Sequence, residues 1–323
     1  MKSNASAQCG IRADHIKLPA GSTEAEITNK IRALNEDPSV DGILVQLPLG
    51  DHIDSEAERR ITEEVTPRKD VDGFHTINIG QLASRACNPQ FVPCTPAGIL
   101  RLLETVCSND LSGKFAVVMG RSDIVGNPVS HLLRSRNCTV TQMHRYSTNV
   151  QEILAMADIV VVAIGQPGFV QGSWLKKGAV VIDVGINYVP DATKKSGERL
   201  IGDVDFASAL PVVSAITPVP GGVGPMTVAM LMENVLIAAT RRAEYEASHP
   251  RGVTTLNPLT IQRPVPSDIE IARAQVPKTL NSLAREIGIL PNELELYGNT
   301  KAKVSCEILD RLSSRVNGKY IVV

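Results

Sequence analysis

A strand-like run, Phe115-Ala-Val-Val-Met119, leads straight into Gly120-Arg-Ser-Asp-Ile-Val-Gly126-Asn-Pro128 and then into a helical pattern. Glycine lets a chain turn sharply and approach a ligand with its backbone, and the free amides of a helix start attract phosphate. The spacing is not G-x-G-x-x-G, and any tight strand-to-helix turn favours glycine, so charge has to separate a binding turn from a plain one. In an NAD site, an acid about 20 residues after the turn holds the ribose 2′-hydroxyl. Here the next strand end reads Met143-His-Arg-Tyr-Ser147, with Arg145 where the acid would stand and Arg121 inside the first turn. Isolated arginines are ordinarily just solvated. Two of them at adjacent strand ends suit a 2′-phosphate and favour NADP over NAD.

Other candidate positions are weaker taken singly. Ala163-Ile-Gly165-Gln-Pro167 and Asp183-Val-Gly185-Ile-Asn187 end strands in small residues that leave room for a ligand, or are plain strand exits. Pro218-Val-Pro-Gly-Gly-Val-Gly-Pro225 is rigid yet glycine-rich, which suits close approach to a flat ring. Val45-Gln46-Leu47-Pro48 closes an expected buried strand with an amide, a ligand contact or a satisfied structural group. Lys69-Asp-Val-Asp72-Gly73 offers carboxylates at a turn. The six histidines form no H-E-x-x-H or other metal-ligand cluster, and no nucleophile elbow is present, so no metal is expected.

The elements that would hold these residues follow from periodicity. Short β-branched runs over 114–120, 139–144, 158–165 and 179–185 alternate with amphipathic stretches over 127–136, 147–157 and 173–177, the pattern of a parallel sheet with crossover helices. A long helical pattern follows from Met226 to about Ala247. Before this block, 27–34 and 55–65 fit helices and Asp41–Gln46 a buried strand. From 248 to 266 the composition shifts to Pro, Gly and Thr, as in a linker, and Ser267-Asp-Ile-Glu270 has capping-box spacing. At 323 residues the chain has room for roughly two domains. Its net charge of −1 gives no general pull toward nucleic acid or an anionic membrane, and no unbroken apolar run reaches the ~18 residues of a membrane helix. Cysteines 9, 87, 94, 107, 138 and 306 contain no C-x-x-C pair and read as free thiols in a reducing, cytoplasmic setting.

Val45-Gln-Leu-Pro-Leu49, Lys69-Asp-Val-Asp-Gly73, Pro93-Cys-Thr-Pro96, Gly120–Gly126 and Ile216-Thr-Pro-Val-Pro-Gly-Gly-Val-Gly-Pro-Met-Thr227 closely resemble the bifunctional methylenetetrahydrofolate dehydrogenase/methenyltetrahydrofolate cyclohydrolase family. Residues 255–323, with Pro266-Ser-Asp-Ile-Glu-Ile-Ala272 and Leu296-Tyr-Gly-Asn-Thr-Lys-Ala-Lys303, look like the beginning of formate-tetrahydrofolate ligase, the order of trifunctional C1-tetrahydrofolate synthases. The resemblance implies an α/β, two-lobed dehydrogenase/cyclohydrolase with a Rossmann-type NADP-binding lobe, followed by an incomplete α/β ligase segment. On that basis residues 1–110 form the folate-binding catalytic lobe, 111–247 the NADP lobe, 248–266 a linker and 267–323 the ligase segment.

By the same resemblance Lys2 and Gln46 handle the hydrolytic step and Asp72 holds the pterin. Val45, Leu47, Pro220, Gly221 and Gly224 line the folate cleft. Thr95, Gly185 and Ile186 lie by the nicotinamide, while Gly120, Arg121, Ser122 and Arg145 hold the phosphate end. The implied substrates are 5,10-methylene- and 5,10-methenyltetrahydrofolate, and the implied assembly is a homodimer. The family's tyrosine four residues before the lysine has no counterpart, so the chain is expected to be cut at both ends, with Lys2 frayed, both folate activities impaired and no ligase activity. The rival readings are another NADP dehydrogenase on the same architecture, of the shikimate type, and a non-catalytic fragment.

Overall fold

Three apolar runs that have no polar alternation, Phe115–Met119, Ile159–Val162 and Val180–Asp183, must be covered on both faces, and the sheet they centre shows it. In the computed structural model β1 (Phe115–Met119), β2 (Thr139–Met143), β3 (Ile159–Val162), β4 (Val180–Asp183) and a short strand Ala215–Ile216 form one parallel sheet, ordered β2-β1-β3-β4 and then Ala215–Ile216. Alternate side chains go to opposite faces. Ala116, Val118, Ile159, Val161 and Ile182 pack with Ile99, Leu103, Val129 and Leu133 on one side. Val117, Met119, Val160, Val162 and Val181 pack with Leu154, Leu175 and Ala209 on the other. This is a Rossmann-type, doubly wound sheet.

The described residues are 2–84, 86–107, 110–194, 197–248, 265–274, 278–298 and 301–313. They divide at Thr240/Arg241 into two compact units. The first unit opens with α1 (Lys2–Gln8), α2 (Glu24–Glu36), α3 (Ser55–Glu63), α4 (Thr76–Ala83) and α5 (Cys94–Cys107). Helix α2 starts on a reciprocal capping box: Thr23 N donates to Glu26 Oε2 (2.8 Å) and Glu26 N to Thr23 Oγ1 (3.3 Å). Its far end is closed by Lys69, whose Nζ donates to the carbonyls of Leu34, Asn35 and Asp37 at 3.0, 2.8 and 2.7 Å. A cation against the negative end of a helix thereby fixes where the Lys69–Gly73 turn begins.

After β1 come α6 (Gly126–Ser135) and α7 (Val150–Leu154), and after β4 an antiparallel hairpin of β5 (Asn187–Pro190) with β6 (Glu198–Ile201). Then follow α8 (Phe206–Ala209), the edge strand β7 (Ala215–Ile216) and α9 (Val223–Ser248). Helix α9 buries Leu231, Met232, Asn234 and Ala238 against Val71, Phe91 and Cys94. Among the described residues it is the helix long and apolar enough, over Val223–Glu244 at mean hydropathy 1.4, to cross a membrane by length and composition. The helix is not an unbroken apolar run, since Glu233 and Asn234 interrupt it.

Three expected elements are corrected. Asp41–Gln46 is not a strand: a single parallel bridge, Ile43 to Asp70 with Ile43 N donating to Lys69 O (2.7 Å), is all the pairing it makes. The helix expected over 147–157 shrinks to α7, entered through Asn149 in the left-handed region (φ 56°). The one over 173–177 is a single 3₁₀ turn, Gly172–Trp174.

In the second unit, Ser267 N donates to Glu270 Oε2 (2.9 Å) and opens a helix over Asp268–Ala274. A helix over Leu280–Ile287 and an antiparallel pair, Leu294–Leu296 with Ala302–Val304, follow. Most of the expected linker (249–264) and the C-terminal Tyr320–Val323 lie outside the described residues.

Candidate active site

Lys2, expected to fray, is the first residue of α1. Ser6 Oγ, on a buried residue, donates to Lys2 O (2.9 Å), and Ala5 packs against the Val71–Phe91 cluster, so the helix is fastened one turn later. Lys2 Nζ donates to Gln46 Oε1 at 3.0 Å. Gln46 Nε2 in turn donates to Leu47 O (2.9 Å), which turns the amide oxygen toward the lysine. Gln46 was expected to be buried at a strand end; it is exposed, because the chain at Val45–Leu47 has no strand partner to cover it. Val45 packs against the cluster of Ile27, Ile31, Ile43, Ile61 and Val65 and holds the segment from behind.

The two aspartates of Lys69–Gly73 have separate work. Asp70 is buried and accepts from Gly73 N (3.1 Å), His75 N (2.9 Å) and Asn78 Nδ2 (2.8 Å), so it builds the turn. Asp72 is partly buried, and its carboxyl is pushed up to about 7, chiefly by desolvation; the Lys2 ammonium opposes the rise and Asp70 adds to it. Two residues that motif reading passed over frame this carboxylate. Asn234 of α9 donates to Val71 O (2.8 Å) and Val92 O (3.0 Å), joining the turn to the start of α5. The Cys94 thiol donates to Val71 O (3.3 Å), and burial, with Asp72 adding, pushes it up to about 12.

Thr95, at the start of α5, is brought to Thr227 of α9 with the two hydroxyls 3.0 Å apart. Pro220 and Gly221 lie in the loop before α9, where Gly221 has φ +110°, and Gly224 is in the first turn of α9.

In the parallel sheet the strand register carries the charge reading. Met119 pairs with Met143 in parallel strands, and Arg121 and Arg145 each follow two residues later, both exposed. The Arg145 guanidinium lies over the Tyr146 ring, 4.7 Å from its centre. Gly120 has φ +123°, and a Cβ there would collide with the carbonyl oxygen of Ala163, so glycine is obligatory. Ser122 Oγ accepts from Val125 N (3.2 Å) and Gly126 N (3.3 Å), tying the turn to the start of α6.

Gly185 packs on Asp203, and its N donates to Asp183 Oδ1 (3.0 Å). Ile186 beside it is 65% exposed. Asp183 and Asp203 were not singled out from sequence, since hydrophobic periodicity carries no signal for a buried acid.

Residues 93–243 match the profile described as tetrahydrofolate dehydrogenase/cyclohydrolase, NAD(P)-binding domain, and residues 1–72 match the catalytic domain of the same family. Residues 266–323 match formate--tetrahydrofolate ligase. An N5,N10-methylenetetrahydrofolate dehydrogenase-cyclohydrolase of Trypanosoma brucei, solved with NADP and an inhibitor, superposes with a TM-score of 0.71 at 43% identity, over 75% of this chain and 81% of that one.

The chain belongs to the tetrahydrofolate dehydrogenase/cyclohydrolase family. Curated relatives of the chain include the mitochondrial C-1-tetrahydrofolate synthase of Saccharomyces cerevisiae, 53% identical over 100% of this chain and 32% of that protein. The cytoplasmic C-1-tetrahydrofolate synthase of Schizosaccharomyces pombe is 54% identical over 100% of this chain and 34% of that protein. The chain thus spans about a third of the length of these relatives. Lys2, Gln46 and Asp72 fall inside the match to the family's catalytic domain, and Thr95, both arginines and the Pro220–Gly224 loop inside the match to its NAD(P)-binding domain.

Proposed function

We propose that the chain oxidises 5,10-methylenetetrahydrofolate with NADP and hydrolyses the resulting methenyl compound to 10-formyltetrahydrofolate. The observation that carries this reading is the Lys2 Nζ to Gln46 Oε1 hydrogen bond (3.0 Å), made beside an Asp72 carboxylate that feels the Lys2 charge. The nucleotide fits the residues present. Gly120, where only glycine fits against the Ala163 carbonyl, keeps the strand-to-helix turn tight, and Arg121 and Arg145, two residues past the paired ends of adjacent strands, offer two cations to a 2′-phosphate. When bound, NADP supplies the acceptor for the hydride leaving the methylene carbon.

The chain's own residues orient the folate and move protons. Asp72 accepts the two N–H bonds of the pterin's amidine edge through its two carboxylate oxygens. Water then attacks the methenyl carbon and the Lys2 amine takes one of its protons; Lys2 returns that proton to N5 as the carbon–N5 bond breaks, and the remaining hydroxyl proton leaves to solvent as the formyl C=O forms on N10. Gln46 keeps the amine at the reacting carbon.

Lys2→Met tests these roles, with methenyl formation and methenyl hydrolysis assayed separately. Hydrolysis is expected to fall by about 100-fold or more, and hydride transfer by less than about tenfold. Equal loss of both would remove Lys2 from the proton-handling role. The reading extends to a homodimer in the cytoplasm, supported by the family resemblance and by relatives labelled cytoplasmic. A monomer mass by light scattering would refute the assembly.

A further inference from the structure

At the carboxyl ends of β3 and β4 two buried aspartates meet with no cation between them. Asp203 is 0% exposed and Asp183 3%. Asp183 accepts from Gly185 N (3.0 Å), Asp203 N (2.9 Å) and Val204 N (2.9 Å). Asp203 accepts from Ile164 N (2.7 Å), Gly165 N (3.0 Å) and Asn187 Nδ2 (2.8 Å). Every one of these donors is a neutral N–H, and neither acid has an ion-pair partner among the described residues. Burying carboxylates this way costs solvation that an apolar core would not lose, so a stability role alone explains the arrangement poorly.

What the pair holds is specific. Gly185 N is fixed by Asp183 and the Asn187 side chain by Asp203, so both neighbours of the exposed Ile186 are pinned. The turn leaving β3, through Ile164 and Gly165, is pinned by the other Asp203 oxygen, Oδ2. In doubly wound sheets ligands bind outside the carboxyl ends of the strands. We propose that Asp203, with Asp183 beneath it, is a positioning residue for the nicotinamide end of NADP: it sets the Ile164–Gly165 and Gly185–Asn187 edges against which the ring is laid, and serves hydride transfer but not hydrolysis. The inference rests on the dehydrogenase/cyclohydrolase reading above.

That reading also supplies an internal control, because methenyl hydrolysis needs no nucleotide. Asp203→Asn keeps the shape but turns an N–H₂ toward groups that are themselves donors. In the full chain it is expected to weaken NADP⁺ binding, measured by calorimetry, by about tenfold or more and to slow methenyl formation. Hydrolysis of supplied methenyltetrahydrofolate should stay within about twofold of wild type. Asn187→Ala removes one donor from a half-buried edge and spares the core; it should weaken NADP⁺ binding by about threefold, also without loss of hydrolysis. A parallel fall of both activities with the melting temperature would reduce Asp203 to a fold brace and overturn the inference. So would unchanged NADP⁺ affinity in Asn187→Ala if Asp203→Asn does not fold. A wild-type chain that binds NADP⁺ and performs neither reaction would instead defeat the functional reading.

Discussion

Asp72 joins the charge beside Lys2 to stability. Its carboxyl is held at about 7 in the folded chain, chiefly by burial, against about 3.9 in an unfolded one. The folded state therefore keeps the proton longer. This group's contribution to stability is fully present below about pH 4 and is lost as pH rises to about 7. Asp72→Asn removes the titration, so the variant should be more stable than wild type at pH 8, by on the order of 1 kcal/mol, and nearly equal to it at pH 4. Thermal melts at the two pH values decide it, and an offset independent of pH would show that burial of Asp72 is not the cause. Lys2→Met should move the same pH dependence upward, since the ammonium is what restrains the rise.

Elements carry the rest of the site, and they were unevenly legible. β1, β3 and β4 could be read from residues because strands buried on both faces have no polar alternation to confuse them. The register that brings Arg121 level with Arg145 followed from parallel pairing alone. Helix α5 was not among the expected elements; Pro96 sits in its first turn, where its missing N–H costs nothing. The Asp41–Gln46 segment was misread because its apolar residues pack against α2 and α3, not into a ladder. Least legible were the tertiary polar contacts, Asn234 to Val71 and Val92 and Lys69 to the end of α2, which join residues far apart in sequence. Lys69→Met should cost about 1–3 kcal/mol, read as a lower urea midpoint at unchanged slope. An unshifted midpoint would mean that water replaces the three lost hydrogen bonds.

At the scale of the whole chain, every candidate site residue lies within the first compact unit, residues 1–240. NADP at 100 times its dissociation constant should therefore stabilise that unit by about 2.7 kcal/mol and leave the transition of residues 241–323 where it was. Calorimetry with and without nucleotide reads this directly, and a shift of both transitions would show that the units unfold together. The cysteines add a clock. Cys9, Cys87 and Cys306 are exposed and should alkylate at once, whereas Cys94 is buried at the junction of α5, α9 and the Asp72 turn. With its thiol pushed up to about 12, Cys94 holds almost no reactive thiolate in the closed state at neutral pH. Each slow labelling event at Cys94 then counts one opening of this junction, and a folate bound as proposed would be timed by how far it slows that count.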